Sequence, residues 1–315
     1  MENNRQPQLV IGFIVYGQDS ARYLPYFLAS LRQQSWQDFK LIAVDNSEAE
    51  NNDNASFLVN YPEIKLTWAG RNLGFAAAQN LMIRQAVEAG AKYFLALNPD
   101  MILETEAVAE MMAVIIADDN LATVSPKVLR WDFAQKAKTK IIDTCGIELR
   151  PGLRFVDLGQ GQVDRGQFDQ TEIFGPSGCA ALFRLSALEK IKIKDQYFDE
   201  RFFMYKEDCD LNYRLFLAGW KTRLAPSALV YHDRTGSSQG RSNLAIALNR
   251  RKKNRLVKQW SFLGQQLLFY KYWRQQNFFN KLMIIWWQLK ILVFTLLFEP
   301  YLLAEIKKFQ AIKKM

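Results

Sequence analysis

Carboxylates follow two short apolar segments of the chain. Asp45 comes directly after Phe39–Val44, and Asp100 follows Tyr93–Leu97 in the sequence Asn98-Pro-Asp. Either site could be a simple turn, because Asp, Asn and Pro commonly end strands. If both segments are strands of one α/β sheet, their carboxyl ends form the edge where such sheets bind ligands. There one carboxylate could hydrogen-bond a nucleobase, and the other could hold Mg²⁺ or Mn²⁺ against a diphosphate.

The densest group of acids lies in the segment 198–211, among aromatic and aliphatic residues. It contains Glu207, Asp208 and Asp210. Apolar surroundings raise the pKa of a carboxyl group, so one of these acids could act as a general base near neutral pH. The alternative is a helix N-terminus, where acids interact favourably with the helix dipole. That alternative does not exclude catalysis.

His232 is the only histidine of the chain and follows the apolar run Ala228–Tyr231. A single histidine is more often structural than a ligand. However, any imidazole ligand of a metal in this protein must be His232. Its polar neighbours, which include Asp233 and Arg234, favour the mouth of a site over a core. We therefore treat Asp100 and His232 as a candidate metal pair.

Hydrophobic periodicity predicts alternating strands and helices, and hence an α/β sheet flanked by helices. The predicted strands are Val10–Val15, Phe39–Val44, Ile64–Trp68 and Tyr93–Leu97, with a later one at 122–128. The predicted helices are 21–34, 75–89, 104–117, 185–191 and 207–218. Residues 130–172 have weak periodicity, so we expect loops and short strands there.

Two common nucleotide-binding motifs are absent from the sequence. Gly12, Gly17 and Gly74 do not form GxGxxG, and there is no GxxxxGK[ST]. Dinucleotide-dependent oxidoreduction and P-loop phosphoryl transfer are therefore disfavoured. Asn72, which precedes Gly74 at the start of the predicted helix 75–89, could cap that helix or contact a ligand.

The positive charge of the chain is concentrated at its C-terminal end. The formal net charge is +9, and residues 241–315 contain 15 Lys and Arg against two acids. Such asymmetry indicates a polyanionic partner, either membrane or nucleic acid. Three cysteines without a CxxC pattern favour a reducing compartment. The polar N-terminus does not have the pattern of a secretory signal, so we expect a cytoplasmic protein.

Residues 282–303 are apolar and long enough to cross a bilayer. A single crossing would place the terminal lysines outside, against the positive-inside tendency. Trp286, Trp287 and the flanking cations are instead typical of a helix lying in the membrane interface. The basic run 250–255 would add to the attraction. We predict a body at 1–240 and a helical tail at 241–315; a helical subdomain packed on the body is the alternative.

These motifs, in their order along the chain, resemble glycosyltransferase family 2, the inverting enzymes of GT-A fold, and especially its rhamnosyltransferase-like branch. The resemblance covers roughly residues 8–240. It is carried by Val44-Asp-Asn-Ser47, Asn72-Leu-Gly-Phe75, Leu97-Asn-Pro-Asp100, Gly175-Pro-Ser-Gly178, Phe198-Asp-Glu-Arg-Phe-Phe-Met-Tyr-Lys-Glu-Asp208 and Val230-Tyr-His232.

The resemblance implies roles for individual residues of the predicted sheet edge. Asp45 would bind the base of the donor nucleotide, and Asn72 would lie beside that nucleotide. Asp100 would contact the donor through a divalent ion, Mg²⁺ or Mn²⁺, with His232 as a further contact to the metal or diphosphate. Asn98 stands where many relatives have Asp, so we do not assign it as a metal ligand.

The resemblance makes Asp208, in the pair Glu207-Asp208, the catalytic base. It implies inverting transfer of one sugar, rhamnose or another hexose, from a nucleotide diphosphate to a glycan or polyprenyl-diphosphate-linked acceptor in cell-surface polysaccharide synthesis. The enzyme would work at the inner face of the membrane, peripherally or with a single span, without a nucleic-acid partner. The Gln-x-x-Arg-Trp motif of processive synthases is absent.

Two other classes of protein remain as alternatives. A sugar-phosphate nucleotidyltransferase would also use an α/β sheet and a metal, but it needs a glycine-rich N-terminal loop that Val10–Gln18 does not provide. A non-catalytic sugar- or nucleic-acid-binding protein is favoured only by the basic tail. Release of a nucleoside diphosphate from a nucleotide sugar would distinguish the enzyme from a binding protein.

Overall fold

The first part of the chain alternates strands and helices, as the sequence predicts. The computed structural model describes residues 8–233 and 254–314. Its first strands are β1 (Leu9–Val15), β2 (Phe39–Asp45), β3 (Ile64–Trp68), β4 (Tyr93–Leu97) and β5 (Met101–Leu103). Its first helices are α1 (Gly17–Ala21), α2 (Leu24–Arg32), α3 (Asp53–Leu58), α4 (Gly74–Glu88) and α5 (Ala107–Ala117).

The helix predicted at 21–34 is α2, which begins at Leu24, and a separate short helix, α1, precedes it. Pro25 lies in the first turn of α2. Proline fits there, because its missing N–H would have no partner within the helix, whereas in a helix interior it would break a hydrogen bond. The break before α2 therefore follows from the position of Pro25.

The second part of the chain completes the sheet. It contains β6 (Leu121–Asp132), β7 (Ala137–Thr144), β8 (Ile147–Arg150), β9 (Arg154–Asp157), β10 (Ala180–Arg184), α6 (Leu185–Lys190), α7 (Glu207–Leu217) and β11 (Lys221–His232). Within 130–172, β6 extends to Asp132 and β7 is eight residues long, so this region is more regular than predicted. The sequence of β7 shows little of its burial, because its apolar residues are confined to Ile141 and Ile142.

Nine of the strands form one mixed sheet in the order β3-β2-β1-β4-β10-β6-β11-β5, with β7 paired to β6, and β8 and β9 form a separate two-stranded antiparallel sheet. Strands β3, β2, β1 and β4 are parallel, and β10 is antiparallel to both of its neighbours. Strand β11 runs parallel to β6 and antiparallel to β5. One apolar core, which includes α2 and α5, packs on one face of the sheet, and a second core, which includes α4 and α7, packs on the other. The predicted fold class is confirmed.

Three helices follow in the described part of the tail. They are α8 (Arg255–Tyr272), α9 (Phe278–Phe298) and α10 (Glu305–Ile312), with short 3₁₀ turns at Trp273–Gln275 and Pro300–Ala304. They agree with the helices predicted there. The predicted boundary at 240/241, residues 250–253 of the basic run and Arg234, Ser237 and Ser238 lie outside the described residues. The division into two domains therefore stays a prediction.

Helix α8 packs against the body of the protein, residues 8–233. Its buried residues Leu267 and Leu268 share a cluster with Phe155 of β9, Phe202 and Tyr213 of α7. Apolar burial of this kind contributes roughly 25 cal/mol per Å² of surface removed from water. The tail therefore begins with a helix that belongs to the core of the molecule.

Buried charges join α8 to α7. The ammonium of Lys271 lies 2.5 Å from a carboxylate oxygen of Asp199 and 2.5 Å from one of Asp210. The hydroxyl of Tyr272 donates to Asp210 at 2.7 Å. Burial alone would raise the pKa of Asp199, but Arg201 and Lys271 hold it well below its usual range. Removing one partner from such a network leaves a buried charge uncompensated.

Helix α9 differs from α8 in that its apolar side chains point away from the protein. It is the one helix in residues 8–233 and 254–314 that is long and apolar enough to cross a membrane, and 11% of its most apolar stretch is buried. Its exposed apolar residues are Phe278, Phe279, Leu282, Ile285, Trp286, Leu289, Leu292, Val293, Leu296, Leu297 and Phe298.

The packing of α8 predicts a large effect of truncating its buried face. Leu268 is 0% exposed and Leu256, on the same helix, is 61% exposed. We expect Leu268→Ala to lower the free energy of unfolding by about 2–5 kcal/mol, through lost burial and the cavity left behind. The matched control Leu256→Ala should stay within about 0.5 kcal/mol of wild type. Urea unfolding measures both, and equal stability of the two variants would mean that α8 is a separable tail.

Candidate functional site

Two adjoining cavities lie at the carboxyl ends of β1, β2 and β4. The smaller, about 270 Å³, is lined by Tyr16, Arg22, Asn46 and Asn72 among others. The larger, about 520 Å³, is lined by residues of the 177–179 segment, the start of α7 and the end of β11. Both cavities share Phe75, Asn98, Asp100 and Met204. The polar residues that the sequence placed at strand ends thus meet at one edge of the sheet.

Asp45 ends β2 and is buried, with 1% of its surface exposed. One carboxylate oxygen accepts from the backbone N–H of Ser47 at 2.9 Å, and the other accepts from the side-chain amide of Asn52 at 2.8 Å. Asp45 lines neither cavity, whereas its neighbour Asn46 lines the smaller one. Asp45 therefore supports the wall of this cavity, and its contact with a nucleobase stays a prediction.

Asn72 and Gly74 form the turn that begins α4 at the wall of the smaller cavity. The side-chain oxygen of Asn72 accepts from the N–H of Gly74 at 2.9 Å. Gly74 has φ +79°, and a Cβ there would lie 2.4 Å from the carbonyl oxygen of Phe203. The N–H of Phe75 donates to the same carbonyl at 2.7 Å. Only glycine permits this approach, which holds the Asn72 turn against the loop that precedes α7.

His232 lies between two carboxylates. Its Nδ1 is 2.9 Å from Asp143 and its Nε2 is 3.3 Å from Asp100. Asp143 is the penultimate residue of β7 and is fully buried. Burial alone would lower the pKa of His232, but Asp100 and Asp143 raise this pKa well above its usual range. The structure therefore brings together Asp100 and His232, which are 132 residues apart in sequence and lie at the paired ends of β5 and β11.

The donors around His232 fit a divalent ion. Nε2 of His232 approaches Asp100, and both residues line the larger cavity, so these two would share an ion there. Asp143, Cys179 and His232 also place ligand atoms within 4.8 Å of one another, but in that arrangement Asp143 would itself be a ligand. Imidazole and carboxylate together suit transition ions such as Mn²⁺, whereas Mg²⁺ favours oxygen ligands alone. A carboxylate on the far nitrogen of a metal-binding histidine commonly fixes its orientation. Asp143 is such a carboxylate, because it contacts Nδ1 of His232 while Nε2 approaches Asp100.

Asp208 lines the larger cavity in the first turn of α7. One carboxylate oxygen accepts from the N–H of Gly178 at 3.0 Å, and the other accepts from the N–H of Cys209 at 2.7 Å. These bonds fix the orientation of the carboxylate on the cavity wall that it shares with Asp100 and His232. The geometry suits a proton acceptor.

Glu207 lies beside Asp208 but is buried. Burial raises the pKa of Glu207 well above its ordinary value, and the charge of Asp208 raises it further. Its Oε2 has no hydrogen-bond partner within residues 8–233 and 254–314. The two adjacent acids therefore differ in environment, because Glu207 is buried and lacks a partner at Oε2 among the described residues, whereas both oxygens of Asp208 accept backbone N–H groups.

The residues before α7 have an unusual backbone. Tyr205 and Lys206 both lie in the left-handed region, with φ of 69° and 76°. Such a conformation costs of order 1–3 kcal/mol for each residue, so the surrounding packing must enforce it. Gly264 of α8 provides part of that packing, because a Cβ there would be 2.6 Å from the carbonyl oxygen of Tyr205. Helix α8 thus holds the segment that positions Glu207 and Asp208.

Sequence reasoning missed two residues of the larger cavity and its surroundings. Asp143 lies in 130–172, where we expected loops, and the signal that could have revealed it is a single acid after Ile141 and Ile142. Lys206 directly precedes Glu207-Asp208 and is the cation among the residues that line the larger cavity. Burial would lower the pKa of Lys206, but the acids nearby outweigh this effect and raise it.

Comparisons with known proteins agree with this geometry. Residues 11–192 match the model of glycosyl transferase family 2, and residues 167–310 match the model of glycosyl transferase family group 2. The N-acetylglucosaminyl-diphospho-decaprenol L-rhamnosyltransferase of Mycobacterium tuberculosis, from two strains, is 26% identical over 234 residues. That similarity covers 69% of this chain and 73% of the relative.

Two solved structures match this chain at low sequence identity. A structure of GalNAc-T7 with UDP, GalNAc and Mn²⁺ matches at 12% identity with a TM-score of 0.54, over 71% of this chain and 43% of that one. Staphylococcus aureus TarS matches at 16% identity with a TM-score of 0.48, over 71% and 36%. This chain therefore spans less than half the length of either structure. The match to GalNAc-T7 supports the fold alone.

The match to the family model over residues 11–192 identifies a glycosyltransferase that uses a nucleotide-sugar donor. The chain belongs to glycosyl transferase family 2, with similarity to a rhamnosyltransferase. The predicted family and enzyme class are confirmed. The roles of Asp45, Asn72, Asp100, Glu207, Asp208 and His232 stay predictions.

The position of Asp143 beside His232 predicts that its substitution weakens metal binding. We expect Asp143→Asn to weaken Mn²⁺ binding by about 10–100-fold, because the imidazole of His232 loses the carboxylate that orients it. Asp195→Asn, an exposed carboxylate elsewhere, is the matched control and should bind as wild type does. Calorimetric titration with Mn²⁺ measures both. Unchanged affinity in Asp143→Asn would remove Asp143 from any role at a metal.

Proposed function

We propose that this chain transfers a single rhamnose, with inversion, from a deoxythymidine-diphosphate sugar to a lipid-diphosphate-linked glycan in cell-surface polysaccharide synthesis. The observation that carries the proposal is that Asp208, Asp100 and His232 line one cavity. The acceptor class rests on the relative, whose name specifies rhamnose transfer to N-acetylglucosaminyl-diphospho-decaprenol. The basic, apolar tail supports a membrane acceptor independently of that similarity.

The proposed reaction is a single displacement. Asp208 accepts the proton of an acceptor hydroxyl, whose oxygen forms a bond to the anomeric carbon of the donor sugar. The bond from that carbon to the nucleotide diphosphate breaks on the opposite face, and the diphosphate departs with the bonding electrons. No covalent enzyme intermediate is needed, so the anomeric centre inverts.

Asp100 and His232 are the residues that would hold a divalent ion, with Asp143 orienting the imidazole. When bound, such an ion supplies Lewis-acid stabilisation of the charge on the departing diphosphate, worth several kcal/mol. Lys206 lies on the same cavity wall and adds positive charge near Asp208. Asn46 and Asn72, in the adjoining smaller cavity, are placed to contact the nucleotide.

The outward surface of α9 supports attachment to a membrane. Its polar residues Asn280 and Gln288 face the protein, where they contact Gly152 and Gln266. The opposite side is an uninterrupted apolar surface with Trp286 at its margin, and Lys290 stacks on the ring of Trp286 at 4.8 Å. A core helix has the reverse arrangement. We infer that α9 lies in the interface at the cytoplasmic side, where nucleotide sugars are available.

The role of Asp208 is tested by Asp208→Asn. We expect transfer to fall by about 10²–10⁴-fold, because general-base assistance is lost, while donor binding persists. The control Asp195→Asn removes the same charge at an exposed residue elsewhere. Turnover is followed by release of nucleoside diphosphate, and donor binding by calorimetry. If Asp208→Asn keeps more than about a tenth of wild-type turnover, Asp208 is not the base.

The donor is tested with a panel of nucleotide sugars and Mn²⁺. A ligand at 100 times its Kd stabilises the folded state by about 2.7 kcal/mol, so the preferred donor should raise the Tm most. We expect deoxythymidine-diphosphate rhamnose to give the largest increase, and Asp100→Ala to lose the part that depends on metal. Better protection and turnover with another nucleotide sugar would refute rhamnose and leave the transferase assignment intact.

Membrane attachment is tested by placing charges on the outward surface of α9. The variant Leu282→Glu/Val293→Glu/Leu296→Glu should bind anionic vesicles at least about tenfold more weakly, because each glutamate must be desolvated and is repelled by the lipid. The control Val59→Glu/Val87→Glu/Ile116→Glu adds the same charge on exposed apolar residues of the body. Vesicle flotation measures both, and equal binding would exclude α9 as the attachment site.

A further inference from the structure

The three tail helices enclose an apolar groove of about 910 Å³. Helix α8 contributes Phe262 and Phe269, α9 contributes Ile284 and Leu292, and α10 contributes Ile306 and Phe309. This volume is near the upper end of the range for ligand pockets, about 300–1,000 Å³. The groove is too large to be a packing defect, since voids in protein interiors are rarely larger than a water molecule.

The groove opens onto the outward apolar surface of α9. Ile285, Leu289 and Leu292 line the groove and are also about half exposed on that surface. The groove is therefore continuous with the surface that we assign to the membrane. Two of its polar side chains are paired with each other, since Gln288 donates to Gln266 at 2.8 Å. A hydrocarbon chain could enter from the membrane without crossing water.

The two ends of the groove differ in charge. Near one end, polar contacts link α8 to the turn before α10: Lys258 pairs with Glu299 at 3.2 Å, and Gln259 donates to Glu305 at 2.6 Å. At the other end lies Arg274, which makes no ion pair with any residue in 8–233 or 254–314. Beside Arg274, the ammonium of Lys281 lies over the ring of Trp273, 5.8 Å from its centre. An anionic headgroup is complementary to this second end.

Helix α8 separates the groove from the catalytic cavity. Ser261 lines the catalytic cavity, and Gly264 contacts the segment before α7. Phe262, Gln266 and Phe269 line the groove. At 100° per residue, these two sets lie on nearly opposite faces of the helix. A lipid whose chain fills the groove therefore does not have its headgroup at Asp208, so the groove is distinct from the acceptor site.

We infer that this groove binds the acyl chain of an anionic phospholipid of the bilayer, with the headgroup at Arg274 and Lys281. The inference rests on the membrane attachment proposed above. Such a lipid fixes the rotation of α9 in the interface. Helix α8 also holds Tyr205 and Lys206 in place. By fixing the rotation of the tail helices, the lipid therefore sets the direction in which the catalytic cavity faces the membrane.

The test is retention of lipid by the full-length protein in detergent micelles, measured by native mass spectrometry with palmitoyl-oleoyl phosphatidylglycerol or phosphatidylcholine. No donor or acceptor is present, so the result is independent of sugar transfer. We expect one bound phosphatidylglycerol per chain. Ile306→Trp should fill the groove and reduce retention at least tenfold. Leu296→Trp, which adds the same side chain on the outward surface, should retain lipid as wild type does.

The headgroup assignment is tested in the same measurement. Arg274→Gln should lose the preference for phosphatidylglycerol over phosphatidylcholine, whereas Lys307→Gln, a cation of α10 that does not line the groove, should keep it. Equal retention by Ile306→Trp and Leu296→Trp would overturn the inference. Two other results would also overturn it. Displacement of the lipid by undecaprenyl phosphate would assign the groove to an acceptor, and a mass of two chains without lipid would mean that a second copy of the chain covers the groove. Failure of the wild-type protein to bind anionic vesicles, with lipid still retained in micelles, would contradict the attachment proposal instead.

Discussion

The position of one imidazole between two carboxylates organises the catalytic half of the molecule. His232 touches Asp100 on one side and Asp143 on the other; His232 ends β11, Asp100 directly precedes β5, and Asp143 is the penultimate residue of β7. A buried polar ring of this kind requires partners for its nitrogens. The irregular second half of the sheet, with its antiparallel strands, supplies them. The parallel half supplies the turns at Asn46 and Asn72 that line the adjoining cavity.

A second constraint joins the candidate site to the C-terminal helices. Asp210, one turn into α7, is buried against Lys271 and Tyr272 of α8, so the helix whose first turn contains Asp208 is fixed to the tail. The same helix α8 forms one wall of the apolar groove. The tail is therefore packed against the candidate site, so the membrane attachment proposed for α9 would also orient the cavity.

The sequence predicted those parts of the fold and site that depend on local pattern. Apolar runs that end in polar residues located β2 and β4, and acids after an aromatic segment located Asp208. Asp143 was missed because its role depends on a partner 89 residues away and its strand has little apolar periodicity. The left-handed backbone at Tyr205 was also missed, since it is enforced by the distant Gly264 and not by local propensity.

The central claim is a single displacement at the anomeric carbon, assisted by a carboxylate on the wall that it shares with Asp100 and His232. The most direct test is the stereochemistry of the product. Proton NMR of the product formed from a donor of known anomeric configuration would identify the new linkage. The structure predicts the opposite configuration at that carbon, because the acceptor oxygen attacks from the face opposite the diphosphate. Retention of the donor configuration would contradict the claim, since it would require a covalent intermediate or attack from the same face.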